Sequence, residues 1–330
     1  MLKKTLLSLA GLLLGLTVAE LLLRGLAPVH FADNFATYCY DPETAYRLKS
    51  SLELREITDY QQEYFTNRLG TLNYQENFRD YRILIFALGD SFTQGVGVPG
   101  DAGYPFQLDL LLNLKGNGYR PDYAVVNLGV AGYGGEQSLR RLKEYRKMIG
   151  NPRYLLFLGN ETDYADDQEF RSGKLHRKLV AGNSNFHPWA LRLRQWFNFE
   201  SEAGKRINLL RRSLNQSRNP GGPPSQDPPV SYAELQEPFW RKLGEAAEEM
   251  NATLIIGWVP VLWSLEPDKD YGWLKQFAAQ NHLAFADWLP EVRSVMRSLP
   301  KLPAVNHHSA GHYRTWVNGA IARAYAKHIH

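Results

Sequence analysis

The sequence predicts an α/β protein, a parallel sheet covered by helices on both faces. Three observations predict it. Short apolar runs recur at 82–88, 123–127, 154–158, 253–259 and 283–286. Helical patterns at 104–114, 136–148, 231–250 and 271–280 separate them, and strands that alternate with helices pair in parallel. The first apolar run ends in Leu88-Gly89-Asp90-Ser91, a polar side chain at the carboxyl end of a buried strand, where open α/β sheets place their ligand crevice.

Each element has its own signal. Between the first two strands, Phe106, Leu108, Leu110 and Leu111 give an apolar side to a helix over 104–114. Leu139, Leu142 and Tyr145 do the same over 136–148, with basic residues opposite. Asn151-Pro152 turns the chain into the third strand. The pattern then breaks, and about 164–231 reads as an insertion. Within it, 186–214 is aromatic and basic and is expected to form one or two capping helices. Trp189 and Trp196 there are read as core, with sugar stacking as the alternative. Residues 219–229 are rich in proline and glycine and read as a mobile loop. Ser231 and Glu234 have capping-box spacing and open the helix 231–250. Pro260 ends the fourth strand, and a last helix is expected over 309–327.

The 330 residues carry a net charge of +4, with 44% hydrophobic and 22% charged residues, ordinary values for a globular chain with a large core. We expect one catalytic domain over 81–330 and a lead-in segment, 27–80, packed on it. Basic residues are dispersed apart from Arg192, Arg194 and 205–212, which read as a solvated helix face, so no nucleic-acid partner is expected. Cys39 is the single cysteine, which excludes an internal disulfide.

Lys3 and Lys4 precede an apolar stretch, 5–23. At 1.5 Å per residue it reaches about 28 Å, close to the hydrocarbon thickness of a bilayer. The expectation is a transmembrane signal anchor over 1–26, with the N-terminus cytoplasmic and the remaining chain periplasmic or extracellular. A cleaved signal peptide is the rival reading, although Thr17-Val18-Ala19 is a poor cleavage site. Glu20 is costly in a membrane and is expected near the far interface.

Three short motifs carry the chemistry. Gly89-Asp90-Ser91-Phe92-Thr93 resembles block I of the SGNH (GDSL-type) hydrolases. The segment 125–133, with Ala131-Gly132-Tyr133, resembles block II, and Leu158-Gly159-Asn160-Glu161 resembles block III. The blocks occur in order, each just after a strand-like run. The resemblance implies a three-layer, flavodoxin-like sandwich with a five-stranded parallel sheet, the SGNH hydrolase fold. It implies Ser91 as nucleophile, and an oxyanion hole made by the Ser91 and Gly132 backbone amides and the Asn160 side chain. Without the family, Ser91 reads as a helix N-cap, Gly132 as a turn glycine with Gly129 as its competitor, and Asn160 as a loop brace. The resemblance gives Asp90 a bracing role. Glu161 departs from the family, whose members usually carry Asp there, and Asp163 is the candidate replacement brace.

The base is sought in one histidine-rich stretch. The family's Asp-x-x-His block is matched by Pro303-Ala304-Val305-Asn306-His307-His308-Ser309-Ala310-Gly311-His312, which has no carboxylate at the required spacing. Counting back from Ser309 favours His307, with His308 close behind. Counting from Gly311-His312 puts Asn306 at the base position. His312 is expected on the last helix, and Asp287 is read as structural. No cofactor or metal is expected. The histidines lack a zincin glutamate, and the glycines near Ser91 lack a P-loop lysine. The expected activity is a serine esterase acting through an acyl-enzyme on an ester, with an O-acetyl group on an envelope glycan as substrate. An O-acetyltransferase and a catalytically degenerate SGNH scaffold are the alternatives.

Overall fold

Five strands form one parallel sheet, in the order 123–127, 83–89, 154–160, 253–259 and 284–285, and β6 (Leu114–Lys115) with β7 (Gly118–Tyr119) forms a separate two-strand ladder. The five are β5 (Ile83–Gly89), β8 (Tyr123–Asn127), β9 (Tyr154–Asn160), β10 (Thr253–Val259) and β11 (Ala284–Phe285). The chain leaves β5 for one neighbour, β8, then crosses back to the other, β9. The strand order therefore reverses at β5/β9, and such a reversal opens a crevice beyond the carboxyl ends of the strands. This computed structural model describes residues 2–26, 37–57, 61–115, 118–173, 201–204, 206–207, 231–260, 265–306 and 311–330. The chain divides into two units, 1–33 with 180–227 and 34–179 with 228–330. The sheet lies in the second.

The strands are apolar runs because both faces are covered. Ile85, Phe86, Ala87 and Leu88 of β5 and Leu155, Leu156, Phe157 and Leu158 of β9 are fully buried. Phe157 packs on Phe239 and Trp240, with ring centroids 4.8 and 5.4 Å away. The Tyr325 hydroxyl donates to the Phe157 carbonyl at 2.9 Å, tying the last helix to the central sheet.

Most expected elements form near their expected bounds. The chain from β5 continues through the short helix α2 (Ser91–Gln94) to α3 (Tyr104–Asn113). Helix α4 (Gly135–Ile149) precedes β9, and α5 (Thr162–Arg171) follows it. The expected helix 231–250 is two, α6 (Tyr232–Leu235) and α7 (Glu237–Glu249). Pro238, at the start of α7, cannot continue a helix from α6, so a new one begins there. Ser231 does cap α6, accepting the Glu234 N–H at 2.9 Å. Helix α8 (Lys269–Gln280) precedes β11, and α9 (Leu289–Ser298) follows it, between Asp287 and the histidine-rich stretch. The last helix, α10, spans Thr315–Ala326 rather than starting at 309. A two-strand ladder, β12 (Val305–Asn306) with β13 (His312–Tyr313), occupies the stretch before it. His312 therefore lies on a strand, not on the helix.

The lead-in contains two hairpins the sequence did not announce: β1 (Tyr38–Asp41) with β2 (Ala45–Leu48), and β3 (Glu53–Ile57) with β4 (Gln61–Phe65). Asp41 Oδ1 closes the first, accepting the N–H groups of Glu43 and Thr44 at 2.9 and 2.8 Å.

In the first unit, residues Leu2–Leu26 form a helix, α1. Among the described residues no helix is long and apolar enough to cross a membrane, so the expected transmembrane anchor has no support. Glu20 shows why α1 is not uniformly apolar: its carboxylate pairs with Arg24 at 2.9 Å and accepts the Glu202 N–H at 2.8 Å. Of the expected cap over 186–214 only residues 201–204 and 206–207 are described, and the loop 219–229 lies outside the described residues.

Phe157→Ala should cost about 3–5 kcal/mol of stability. Urea unfolding checks this, with a lower midpoint expected at unchanged slope.

Candidate active site

Gly89 ends β5 at φ +145, and a Cβ there would lie 2.8 Å from the Leu158 carbonyl oxygen and 2.4 Å from Thr93 Oγ1. Only glycine lets the chain turn this close to the neighbouring strand. The turn delivers Asp90 and Ser91 to the crevice end of the sheet. Asp90 is buried and is the N-cap of α2, its Oδ1 accepting the Phe92 N–H at 2.9 Å. Its Oδ2 accepts from Ser91 Oγ at 3.1 Å and from Asn160 Nδ2 at 2.7 Å. Ser91, half-buried, heads the helix rather than capping it, so the cap reading passes to Asp90.

Asn160 ends β9 and is held on every side. Its Oδ1 accepts from the Thr162 N–H at 2.7 Å and the Thr162 hydroxyl at 2.8 Å, which fixes Nδ2 toward Asp90. Its own N–H donates to Asp163 Oδ2 at 3.1 Å, and its carbonyl accepts from Gln236 Nε2 at 3.4 Å. Asp163 is therefore the bracing carboxylate expected in place of Glu161, and it is fully buried. An amide nitrogen has two hydrogens, so Nδ2 keeps one for a ligand beside the bond to Asp90.

The third loop follows β8. Gly132 has φ +75, in the left-handed region. Gly129, its competitor, has a different role. A Cβ at 129 would lie 2.4 Å from the Gln94 nitrogen, so this glycine exists to let the loop lie against α2. Gln94 in turn accepts the Ala131 N–H at 2.7 Å, which ties the Gly132 loop to the helix that Ser91 begins. Among the described residues no acceptor takes the backbone N–H of Ser91 or of Gly132. Free amides of this kind, together with Asn160 Nδ2, are the donor set an oxyanion requires.

Of the expected site residues, the structure brings Ser91 and Asn160 onto one carboxylate and links the Gly132 loop to the same helix. His307 and His308 lie outside the described residues. The residues that bracket them are described. Gly311 N–H donates to the Asn306 carbonyl at 3.2 Å, and buried Asn306 donates through Nδ2 to the Gly97 carbonyl at 3.3 Å, three residues beyond Gln94. His312, on β13, sits with its ring centroid 4.9 Å from that of Phe92, the residue after Ser91. Asp287 holds the Tyr271 hydroxyl and the Lys275 ammonium, the structural role expected of it.

The electrostatics center on four carboxylates that the sequence reading did not group. Burial pushes Asp90 above its ordinary pKa, against the pull of its hydrogen bonds and of His312. Burial and the charge of Asp90 push Asp163 well up, and they push Asp166, one turn further along α5, up to about 7. Asp167 is raised by burial too, although it accepts the Glu136 N–H at 2.9 Å. Like charges this close cannot all ionise cheaply. The i, i+3, i+4 spacing of 163, 166 and 167 was the available sequence signal. Among the described residues no group of these side chains is arranged to hold a metal ion.

Comparison with known proteins adds the following. No family model and no curated protein matches the chain. Among solved structures, the chain is similar to a member of the lipolytic protein G-D-S-L family from Veillonella parvula DSM 2008. Identity is 12%, with 75% of this chain and 98% of that one covered, at a TM-score of 0.40. It is also similar to a catalytic mutant of an acetylxylan esterase from Geobacillus stearothermophilus, at 14% identity, 75% and 94% coverage and a TM-score of 0.43. An alpha/beta hydrolase enzyme from the metagenome of Lake Arreo, Spain, stands at 13%, 75%, 94% and 0.42. Likeness at this level carries no argument about activity, which rests on the residues.

Asp166 gives a signed pH test. Its folded pKa is raised from the ordinary 3.8 to about 7, so the folded state binds the proton more tightly than the unfolded chain. Stability from this group is full below about pH 4 and is lost as pH rises toward 7. Asp166→Asn should leave the melting temperature near that of the native chain at pH 4 and raise it at pH 8. Thermal melts across pH check this.

Proposed function

We propose that this chain is a serine esterase of the SGNH type, acting through an acyl-enzyme at Ser91. The observation that carries it is the convergence on α2. Ser91 starts that helix, Asn160 shares Asp90 with the Ser91 hydroxyl, and Gln94 holds the loop that presents Gly132. Nucleophile and oxyanion donors are thus built from three strand ends around one short helix.

The reaction follows from these roles. Ser91 Oγ attacks the ester carbonyl carbon, and its proton passes to the base, assigned to His307 or His308 on sequence. The carbonyl oxygen takes the electron pair and is held by the Ser91 and Gly132 N–H groups and Asn160 Nδ2. Collapse breaks the ester C–O bond, the base protonates the departing alcohol, and water then releases the acid by the same steps. The substrate in this proposal is a short-acyl ester, an O-acetyl group on a glycan. Location of the second unit in the cell envelope belongs to the same proposal, and protease accessibility in intact cells tests it.

A second reading, a catalytically degenerate SGNH scaffold, draws on Asn306. It is buried, committed to the Gly97 carbonyl, and stands at the base position when the motif is counted from Gly311-His312. An amide has no proton-accepting nitrogen to serve as base.

The test is labelling by a fluorophosphonate and turnover of p-nitrophenyl acetate. Ser91→Ala should abolish both, and one of His307→Ala and His308→Ala should nearly do so. Asn160→Ala should lower kcat by about 10²–10³-fold, the usual effect of one oxyanion donor. A folded, unlabelled wild type would leave the degenerate scaffold.

A further inference from the structure

The Gly132 N–H and the Ala131 carbonyl belong to one peptide unit. A trans peptide is planar and points its C=O and N–H in opposite directions, and the described chain contains no cis bond. Whatever fixes the Ala131 oxygen therefore aims the Gly132 hydrogen. In this structure that group is Tyr46, from the second strand of the lead-in hairpin. Its hydroxyl donates to the Ala131 carbonyl at 2.7 Å. The same oxygen stands over Gly132, where a Cβ would come within 2.8 Å of it, so the left-handed glycine and the tyrosine fit each other.

Tyr46 is itself held in place. Its ring stands edge-on to Tyr38 and Tyr133, with centroids 5.5 and 5.3 Å away. The Tyr133 hydroxyl donates to the Tyr46 carbonyl and lies 2.9 Å from the Thr44 hydroxyl, and Gln137 Nε2 donates to the Thr44 carbonyl at 2.7 Å. Tyr38 donates to Gln94 Oε1 at 3.0 Å, the same oxygen that accepts the Ala131 N–H. Successive peptides of the loop are thus gripped from two directions, the first by Gln94 and the second by Tyr46.

We propose that Tyr46 is a positioning residue for the oxyanion hole: its hydroxyl orients and polarises the Ala131–Gly132 peptide so that the Gly132 N–H meets the developing oxyanion. A hydrogen bond to a carbonyl strengthens the N–H of the same amide as a donor. The lead-in hairpin is on this account a part of the active site. The inference rests on the acyl-enzyme reading of Ser91.

The experiment compares the full chain with its Tyr46→Phe and Tyr38→Phe variants, using p-nitrophenyl acetate kinetics, the rate of fluorophosphonate labelling and thermal melting. Tyr46→Phe keeps the ring and its edge-on contacts and removes only the hydroxyl. Misplacing a donor by a fraction of an ångström should lower kcat about ten- to hundredfold, with KM within about twofold. Labelling, in which Ser91 Oγ displaces fluoride at phosphorus while the phosphoryl oxygen takes the oxyanion's place, should slow by a similar factor. Tyr38→Phe, one bond further from the peptide, should do distinctly less. Wild-type activity that Tyr46→Phe leaves within about twofold would overturn the inference while sparing the esterase reading. So would equal losses in both variants that track their melting temperatures, since that is a stability effect. A wild type without Ser91-dependent labelling would overturn both.

Discussion

The hydrogen bond between Asn160 Nδ2 and Asp90 Oδ2, 2.7 Å long, joins the carboxyl ends of the two strands between which the sheet order reverses. Both partners are buried, and neither can be satisfied by water. Asp90 must therefore be fed donors by its surroundings. It receives three, from Phe92, Asn160 and Ser91, and each fixes a different part of the site. The Phe92 bond starts the helix, the Asn160 bond aims an amide, and the Ser91 bond fixes the hydroxyl proposed as nucleophile. Remove the carboxylate and these three groups lose their common reference.

The same carboxylate sets the charge of its neighbours. Asp163 is fully buried, with Oδ1 lacking any partner among the described residues. An ionised group there would stand unpaired in a low-dielectric interior next to the charge of Asp90. A proton on Asp163 removes that conflict, and its strongly raised pKa has this cause. Asp166 is raised to about 7 by the same two influences, so near neutral pH the cluster carries less negative charge than its composition suggests. That matters for acyl transfer. A full set of ionised carboxylates would oppose the oxyanion of the proposed reaction.

The parallel sheet was legible because its strands are buried on both faces and read as apolar runs, and because Ser91, Gly132 and Asn160 each follow such a run. What stayed hidden depended on partners distant in sequence. Nothing in the pattern around Tyr46 reveals a contact with Ala131, 85 positions on. The β12–β13 ladder was missed because two-residue strands have no period, and so His312 was assigned to the helix that follows. Pro238 marks the break at Gln236, although the hydrophobic period runs on across it.

The lead-in hairpin changes how the catalytic unit should be divided. Residues before β5 are easily taken for a spacer, since the three motifs begin after it. Yet Thr44, Tyr46 and Tyr38 bond to Tyr133, Ala131 and Gln94, and Arg47 pairs with Glu144 on α4 at 3.1 Å. An exposed ion pair such as the last contributes little. The half-buried hydroxyl–carbonyl bonds contribute more, because water replaces a lost partner there less readily. A loop that must present an amide with φ +75 at its center has few internal contacts to hold it, and rigidity has to be supplied from outside. The hairpin supplies it, so the proposed oxyanion geometry depends on a segment that carries none of the motif residues.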